Sequence, residues 1–477
     1  MKTGFKYRDK STSIADAITR LSQKGFLVAL VGFLMLMLIE FCIGEIANIN
    51  IFVLCTYFAF LALIYFRDIQ FLVEFFWVVI LFTLNVVGVY ICDEGFVLGE
   101  LQISSYYCGA LAPLVACYIL FYGVIELYRL RKVDKRVDYS QAESPNLLYA
   151  IVALGFIIEG YLLSQVITHP YFIVGELRLG YAQQYMTPFA VSLRTYLPMF
   201  IPAVLMLWKR GNRKVAIAFF VFLAVFYFCE GDKFGTYLFA AYIITLCFSS
   251  HIRVETQKKV IKAIFALFCC LILVVYIQRI LIFSSDASSV LRYLVERLSQ
   301  QGEVWWSVYA QAKGTSLGIG EFSDELHVLF SGLSTSTYAE FGQWKMMSVA
   351  AHYSSNSQYR ILVGNPYTAT TTASVFYYFR WVGLFLFYVV ASAAYASIVK
   401  NAVRAFSNGW VLESIIYVKL ISILNTVLTA SNIESLISFA GLFYIAALFA
   451  LTLFREMRTQ KSPITKDRKW KSGGVQK

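Results

Sequence analysis

The residues able to do chemistry in this chain are single cations set into apolar sequence, and one polar, aromatic stretch between residues 284 and 372. Lys233 stands in FYFCEGDKFGTYLF, where Gly231 and Gly235 permit a tight break between two apolar runs. A lysine beside the unpaired amides of a helix N-terminus favours a phosphate group. Arg178 in VGELRLGYAQQY and Arg194 in AVSLRTYLP could add charge to the same site, while Arg279 and Arg380 lie one to two turns inside apolar runs. A cation within a membrane span needs a partner or a role. The bland alternative for each is a side chain that snorkels to headgroups or pairs with a nearby acid.

The polar stretch offers acid–base groups. His352 is followed by Tyr353, Asn356, Tyr359, Arg360 and Asn365, which supply planar donors, aromatic faces and one cation, the chemistry of a sugar or phosphate pocket. His352 or an acid such as Glu303 could take a hydroxyl proton. His169, His327, Asp324, Glu325 and Glu340 are further candidates, although a lone loop histidine is more often structural and the acids could equally pair with the arginines. Glu40, Glu74 and Glu159 fall within or near apolar runs. They read as counter-ions to buried arginines in preference to a proton pathway. Nucleotide-binding loops, nucleophile elbows and metal-ligand spacings are absent from the sequence, and its nine cysteines lie in or at the ends of apolar runs. Neither a metal nor a cofactor is therefore expected.

The elements that must position these residues are helices. The chain is 59% hydrophobic and only 15% charged, with mean hydropathy +0.64, and apolar runs of about 20 residues recur along it. Helices satisfy the backbone in lipid, and these runs are too long for barrel strands. The expected fold is an all-α polytopic membrane protein of about 12 transmembrane helices, with a large extracytoplasmic loop that contains short amphipathic helices. The spans are expected near 26–43, 50–66, 71–92, 107–128, 147–166, 195–208, 215–229, 235–250, 260–283, 373–399, 411–430 and 435–454. Residues 1–25 then form a cytoplasmic tail, 26–283 hold nine helices, 284–372 form the large loop, 373–454 hold three helices, and 455–477 form a basic cytoplasmic tail.

The net charge of +12 does not point to nucleic acid, because most of the 41 Lys and Arg cluster in the tails and in alternate short connections such as RLRKVDKR and KRGNRK. That alternation fixes an orientation with both termini cytoplasmic. Within the large loop, Val290, Leu291, Leu294, Val295 and Leu298 recur at helical spacing opposite Arg292, Glu296 and Gln300, and WWSVY follows. This predicts an amphipathic helix on the outer leaflet or on the bundle, with Trp305 and Trp306 at headgroup depth.

Taken together, about twelve spans, an outer-loop arginine (Arg178), the Gly231-Asp232-Lys233 break and the large outer loop ending in NPYTATTTASVFYYFRWVG resemble the Wzy-type oligosaccharide repeat-unit and O-antigen polymerases. The eleven-residue arginine-to-glycine spacing of some members is missing here, where Arg178 is followed by Phe189 and Arg360 by Thr371. The resemblance implies a bacterial inner-membrane enzyme that needs no metal. It would join undecaprenyl-diphosphate-linked oligosaccharides into a surface polysaccharide, in contact with membrane lipids and alongside a chain-length regulator and a repeat-unit flippase. It also implies roles for residues. Lys233, Arg178, Arg194, Arg380 and Arg279 would hold diphosphates, Arg360 would assist, His352 or Glu303 would act as base, and Trp305, Trp306, Tyr353, Asn356 and Asn365 would contact glycan. The competing readings are a flippase or transporter of lipid-linked oligosaccharides, and a lipid-linked glycan ligase.

Overall fold

The computed structural model describes residues 24–25, 27–40, 49–98, 103–130, 144–171, 181, 184–231, 235–249, 254–283, 287–312, 371–430 and 438–460. Helices occupy every stretch in which the sequence predicts a span. In chain order they are α1 (Leu27–Glu40), α2 (Asn50–Arg67), α3 (Ile69–Asp93), α4 (Leu111–Leu130), α5 (Pro145–Val166), α6 (Pro188–Arg194), α7 (Ile201–Lys209), α8 (Arg213–Glu230), α9 (Gly235–Phe248), α10 (Val254–Phe283), α11 (Ala287–Ser299), α12 (Glu303–Ala312), α13 (Thr371–Ser407), α14 (Val411–Ala430) and α15 (Phe439–Gln460). A two-residue antiparallel ladder, β1 (Val97–Leu98) with β2 (Ile103–Ser104), is the one departure from helix among the paired elements described.

Six helices are long and apolar enough to cross a membrane: α2, α3, α4, α5, α13 and α14. A seventh crossing is available from α6 and α7 together, which bend by 42° at a short break. The chain is thus a helical, multi-pass membrane protein. The expected straight sixth span over 195–208 is corrected to this broken unit. Thr187 caps α6 by accepting a hydrogen bond from Ala190 N (3.1 Å), and Leu197–Phe200 form a 3-10 turn before α7. Pro198 and Pro202 lie within that stretch and lack the amide donors a straight helix would use. The tenth span is likewise corrected, from 373–399 to a longer helix interrupted at Arg380.

Burial sorts centre from rim: the apolar window of α4 is 83% buried and that of α2 only 22%. The helix α3 packs against α2, α4, α9, α10, α11 and α12, and α13 lies along α4 and α14. On another side α5 packs on α6, α7 and α8. The core between α3, α4 and α13 is rich in aromatics whose hydroxyls find partners. Phe82 stacks on Tyr118 at 3.8 Å, and Tyr118 Oη accepts a hydrogen bond from Asn85 (3.0 Å). Tyr57 Oη shares hydrogen bonds with Thr83 (3.0 Å) and Tyr122 (3.3 Å).

One end of the bundle gathers basic residues with their partners. Arg129, in the last turn of α4, donates to Asp68 (2.7 Å) and pairs with Glu74 (3.0 Å). Arg67 pairs with Glu126 beside it. Glu74 thus has the counter-ion role expected from sequence, with Arg129 as its cation. Asp68 also caps α3 by accepting from Phe71 N (3.1 Å). Elsewhere Arg455 pairs with Glu413 (2.7 Å) and lies 3.4 Å from the Trp410 ring centroid.

The α3–α12 junction is a backbone-to-backbone contact. A side chain on Gly88 would place Cβ 2.5 Å from Leu298 O and 2.6 Å from Gly302 N, and Gly302 in turn abuts Val89. We expect Gly88→Ala to lower stability by about 1–3 kcal/mol through overpacking, read as a fall in thermal midpoint in detergent. An unchanged midpoint would show that this junction gives way freely.

Candidate functional site

The end of the bundle opposite the Arg129 cluster carries the polar groups that could act on a substrate. Asp93, the last residue of α3, is buried and accepts from Cys108 N (3.2 Å) and Leu111 N (3.1 Å), so it caps the start of α4. The segment 105–110 that it holds offers carbonyls to α12. Trp305 Nε1 donates to Ala110 O (2.8 Å) and Trp306 Nε1 to Tyr106 O (3.1 Å).

With α12 anchored in this way, Tyr309 lies one turn beyond Trp305 on the same face, and its hydroxyl donates to Glu40 Oε1 at the end of α1 (2.6 Å). Burial, and next the Glu40 charge, hold the Tyr309 phenol above its ordinary range, so it remains a donor at neutral pH. The rings of Trp305 and Tyr309 both pack on Phe376 of α13, at 5.4 and 5.7 Å. Trp381 closes on Phe376 from further along the same helix, at 4.8 Å.

Arg380 stands at this cluster. Its φ of 55° and ψ of −149° break α13, and it is the one non-glycine residue with positive φ among those described. Such a conformation costs of order 1–3 kcal/mol and persists only when its surroundings hold it. The break turns the guanidinium towards Phe376, with Cζ 5.3 Å from the ring centroid. Non-helical backbone at this depth is tolerated where protein buries it or a cavity receives it.

Of the residues singled out in the sequence, the structure brings Arg380, Trp305, Trp306 and Glu303 to this one region. Two expectations are corrected. Trp305 and Trp306 are each only 1% exposed, with both indole N–H groups committed to backbone carbonyls. They are packing and anchoring residues, with no open ring face at headgroup depth for a glycan. Glu303 is buried at the start of α12, near Cys92, where an acceptor sugar has no access in this arrangement. Arg279 falls in the last turns of α10. Arg178, Lys233, His352, Tyr353, Asn356, Arg360 and Asn365 lie outside the described residues.

Arg194 belongs to a separate group. It ends α6 and pairs with Glu230, the last residue of α8, whose side chain is 2% exposed. Gly231 then closes α8 at φ 77°, and Tyr171 fills the space a side chain there would need. Tyr171 meets the ring of Tyr181 edge-on at 5.5 Å, and Tyr181 donates to His169 O (2.8 Å). Burial pushes the Tyr181 phenol up to about 12. At the α6–α7 break, Lys419 of α14 sets its ammonium 4.3 Å from the Tyr196 ring centroid.

No family model, curated protein or solved structure matches the chain. The site therefore has to be read from its own geometry. Sequence reasoning missed Tyr309 and set Glu40 aside as a counter-ion. The available signal was the four-residue spacing from Trp305 to Tyr309, which puts both rings on one helix face.

Since Glu230 is buried, Arg194 acts first as its cation. We expect Arg194→Ala to cost about 3 kcal/mol by leaving a buried carboxylate uncompensated. The double change Arg194→Met with Glu230→Gln should regain most of the thermal midpoint. If the single change leaves the midpoint unmoved, the pair is not structural.

Proposed function

We propose that the chain is a membrane glycosyltransferase of the polymerase type, which joins undecaprenyl-diphosphate-linked oligosaccharide repeat units into a surface polysaccharide on the outer face of a bacterial inner membrane. The observation that carries this reading is Arg380, a guanidinium set by a break in a membrane helix at the end of the bundle away from the Arg129 cluster. The Arg129 end, with its Arg and Lys, is the cytoplasmic one by charge distribution. The Arg380 end is then extracytoplasmic, where nucleotide sugars are not available and a lipid-linked donor must be used.

In the reaction, the acceptor sugar hydroxyl attacks the anomeric carbon of the donor glycan. A new C–O bond forms, the bond from that carbon to the diphosphate breaks, and undecaprenyl diphosphate leaves with the electron pair. The hydroxyl proton passes to a carboxylate or histidine. Negative charge that develops on the leaving diphosphate is stabilised by fixed cations, with Arg380 and Lys233 in that role and Arg178, Arg279 and Arg360 supporting. In this reading Arg194 is shared with Glu230. A chain-length regulator and a repeat-unit flippase would work beside it.

One observation favours a transporter as the second reading. Glu159, on the buried stripe of α5, is fully buried, and neither carboxylate oxygen has a hydrogen-bond partner among the described residues. The counter-ion role expected for it is thus not met there, and an intramembrane carboxylate of this kind suits a proton relay.

Purified protein supplied with a lipid-linked repeat unit should yield a ladder of longer lipid-linked products, with or without chelator. Arg380→Ala and Lys233→Ala should each slow it by about 10²–10³-fold, the usual cost of removing one charge-stabilising donor. Absence of a ladder, together with movement of labelled lipid-linked sugar across liposomes that Glu159→Gln abolishes, would replace the polymerase with the transporter.

A further inference from the structure

The buried stripe of α5 is Leu148, Val152, Gly155, Glu159, Leu162 and Val166, so a carboxyl group stands in an otherwise apolar seam. Glu159 is 0% exposed, and neither of its oxygens has a hydrogen-bond partner among the described residues. At the helical rise per residue it lies about 20 Å along α5 from Pro145 and about 10 Å from Val166, well inside the span.

Two elements close over this seam. One turn before Glu159, Gly155 abuts both α8 and the broken α6–α7 unit: a Cβ there would stand 3.0 Å from Phe219 Cε2 and 3.2 Å from Phe200 Cδ1. Just beyond Glu159, Tyr161 shares a hydrogen bond with Thr187 (3.0 Å), and its ring meets Phe189 at 6.0 Å. The broken unit is therefore laid along α5 with the start of α6 at Tyr161 and the end of the 3-10 turn at Gly155. Glu159 falls between them, level with the break. Pro198 and Pro202 cannot donate to the carbonyls of Arg194 and Pro198, so two helical hydrogen bonds are missing from the backbone at this level.

An ionised carboxylate here would carry an uncompensated charge inside the bundle, which costs far more than taking up a proton. A hard metal ion would need several oxygen ligands. The side chains that meet the bare backbone of Gly155 are instead Phe200 and Phe219, and no group of three or more His, Cys, Asp or Glu able to hold a metal occurs among the described residues. The cations of the neighbouring elements are engaged elsewhere. Arg194 is matched with Glu230 and Lys419 lies over the Tyr196 ring. Lys209, Arg213 and Lys214 belong to the other end of α5, where Asn212 donates to Tyr149 (2.7 Å). The other titratable groups on this half of α8 are Tyr227, whose ring meets Tyr237 edge-on at 5.5 Å, and the buried Cys229.

We infer that Glu159 is a proton-binding site inside the membrane domain, and that the α6–α7 break is the element that opens when the proton leaves. With the proton bound, the seam closes on a neutral carboxyl group. When the proton passes to water, the carboxylate left behind needs solvent, and the break is where backbone can part without cutting the two helical hydrogen bonds that the prolines already lack. This inference does not rest on the polymerase reading, and it holds for an elongating bundle as for a transporting one.

The test uses the full-length protein in detergent. At neutral pH its infrared spectrum should contain the carbonyl stretch of a protonated carboxylic acid that Glu159→Gln lacks, and the band should vanish as the pH is made alkaline. Amide hydrogen exchange across residues 188–209 should then be about tenfold faster in the parent than in Glu159→Gln at alkaline pH, and equal in the two at neutral pH. If the two spectra coincide at neutral pH, Glu159 is ionised and the inference is overturned; stabilisation by sodium chloride but not by choline chloride would in that case make a metal cation the ligand. Equal exchange in both proteins once the band has gone overturns the role of the break. Should Glu159→Gln not fold, Glu159→Asp decides, since it must keep the band at a shifted position and an unshifted band belongs to another carboxyl group. None of these readouts uses ladder formation, so failure of this inference and failure of the polymerase reading are told apart.

Discussion

A single buried carboxylate, Asp93, ties together two of the most enclosed helices of the bundle, α3 and α4. It ends α3 and accepts the amides of Cys108 and Leu111 at the start of α4, where the helix dipole favours a negative charge. Without it, those amides would be buried and unpaired. The connection from Glu94 to Ala110 could then no longer hold its carbonyls where Trp305 and Trp306 reach them. Those two indoles anchor α12, and α12 sets Tyr309 against Glu40. The candidate site is therefore three hydrogen-bonded steps away from one cap. At the other end of α3, Asp68 plays the matching part, capping that helix while holding Arg129 of α4.

Charge is placed in two different ways along this molecule. Towards the Arg129 end, cations are matched directly with acids, as in Arg129 with Asp68 and Glu74 and in Arg67 with Glu126. Pairing of this kind makes burial tolerable, and removing either partner is more damaging than removing both. At the opposite end, irregular backbone takes part: α13 breaks at Arg380 and α6 breaks from α7 near Arg194. Broken helices set charged side chains at depths that a straight helix would give to lipid.

Much of the helical frame was legible in the sequence because apolar run length is a direct physical signal in lipid. Among the described residues a helix lies in each expected run, six of them long and apolar enough to cross a membrane, and α14 begins and ends where its apolar run does. The breaks were harder. Pro198 and Pro202 announce the one between α6 and α7, but nothing in FYYFRWVG marks Arg380 as non-helical. The tryptophans were misread for a related reason. Amphipathic spacing in VLRYLVERLS followed by WWSVY fits a surface helix as well as one packed on α3, and only the glycine pair Gly88 and Gly302 decides for packing. Glu40 was visible as an acid near a span end, yet its partner is 269 residues away in the chain. No local pattern carries a pairing at that distance.

Glu40 and Glu230 are two helix-end carboxylates held in different surroundings. Glu230 is 2% exposed and matched with a guanidinium, so its charge is spent on holding α8 to α6. A carboxylate matched in this way gives up affinity for a proton, which is poor preparation for a base. Glu40 accepts a hydrogen bond from the Tyr309 hydroxyl, and the bare backbone of Gly109 lies against its carboxylate. The Arg380 guanidinium lies over the Phe376 ring of the same aromatic cluster. An acid and a cation thus border one aromatic cluster that α12 and α13 build together, whereas Glu230 and Arg194 meet directly.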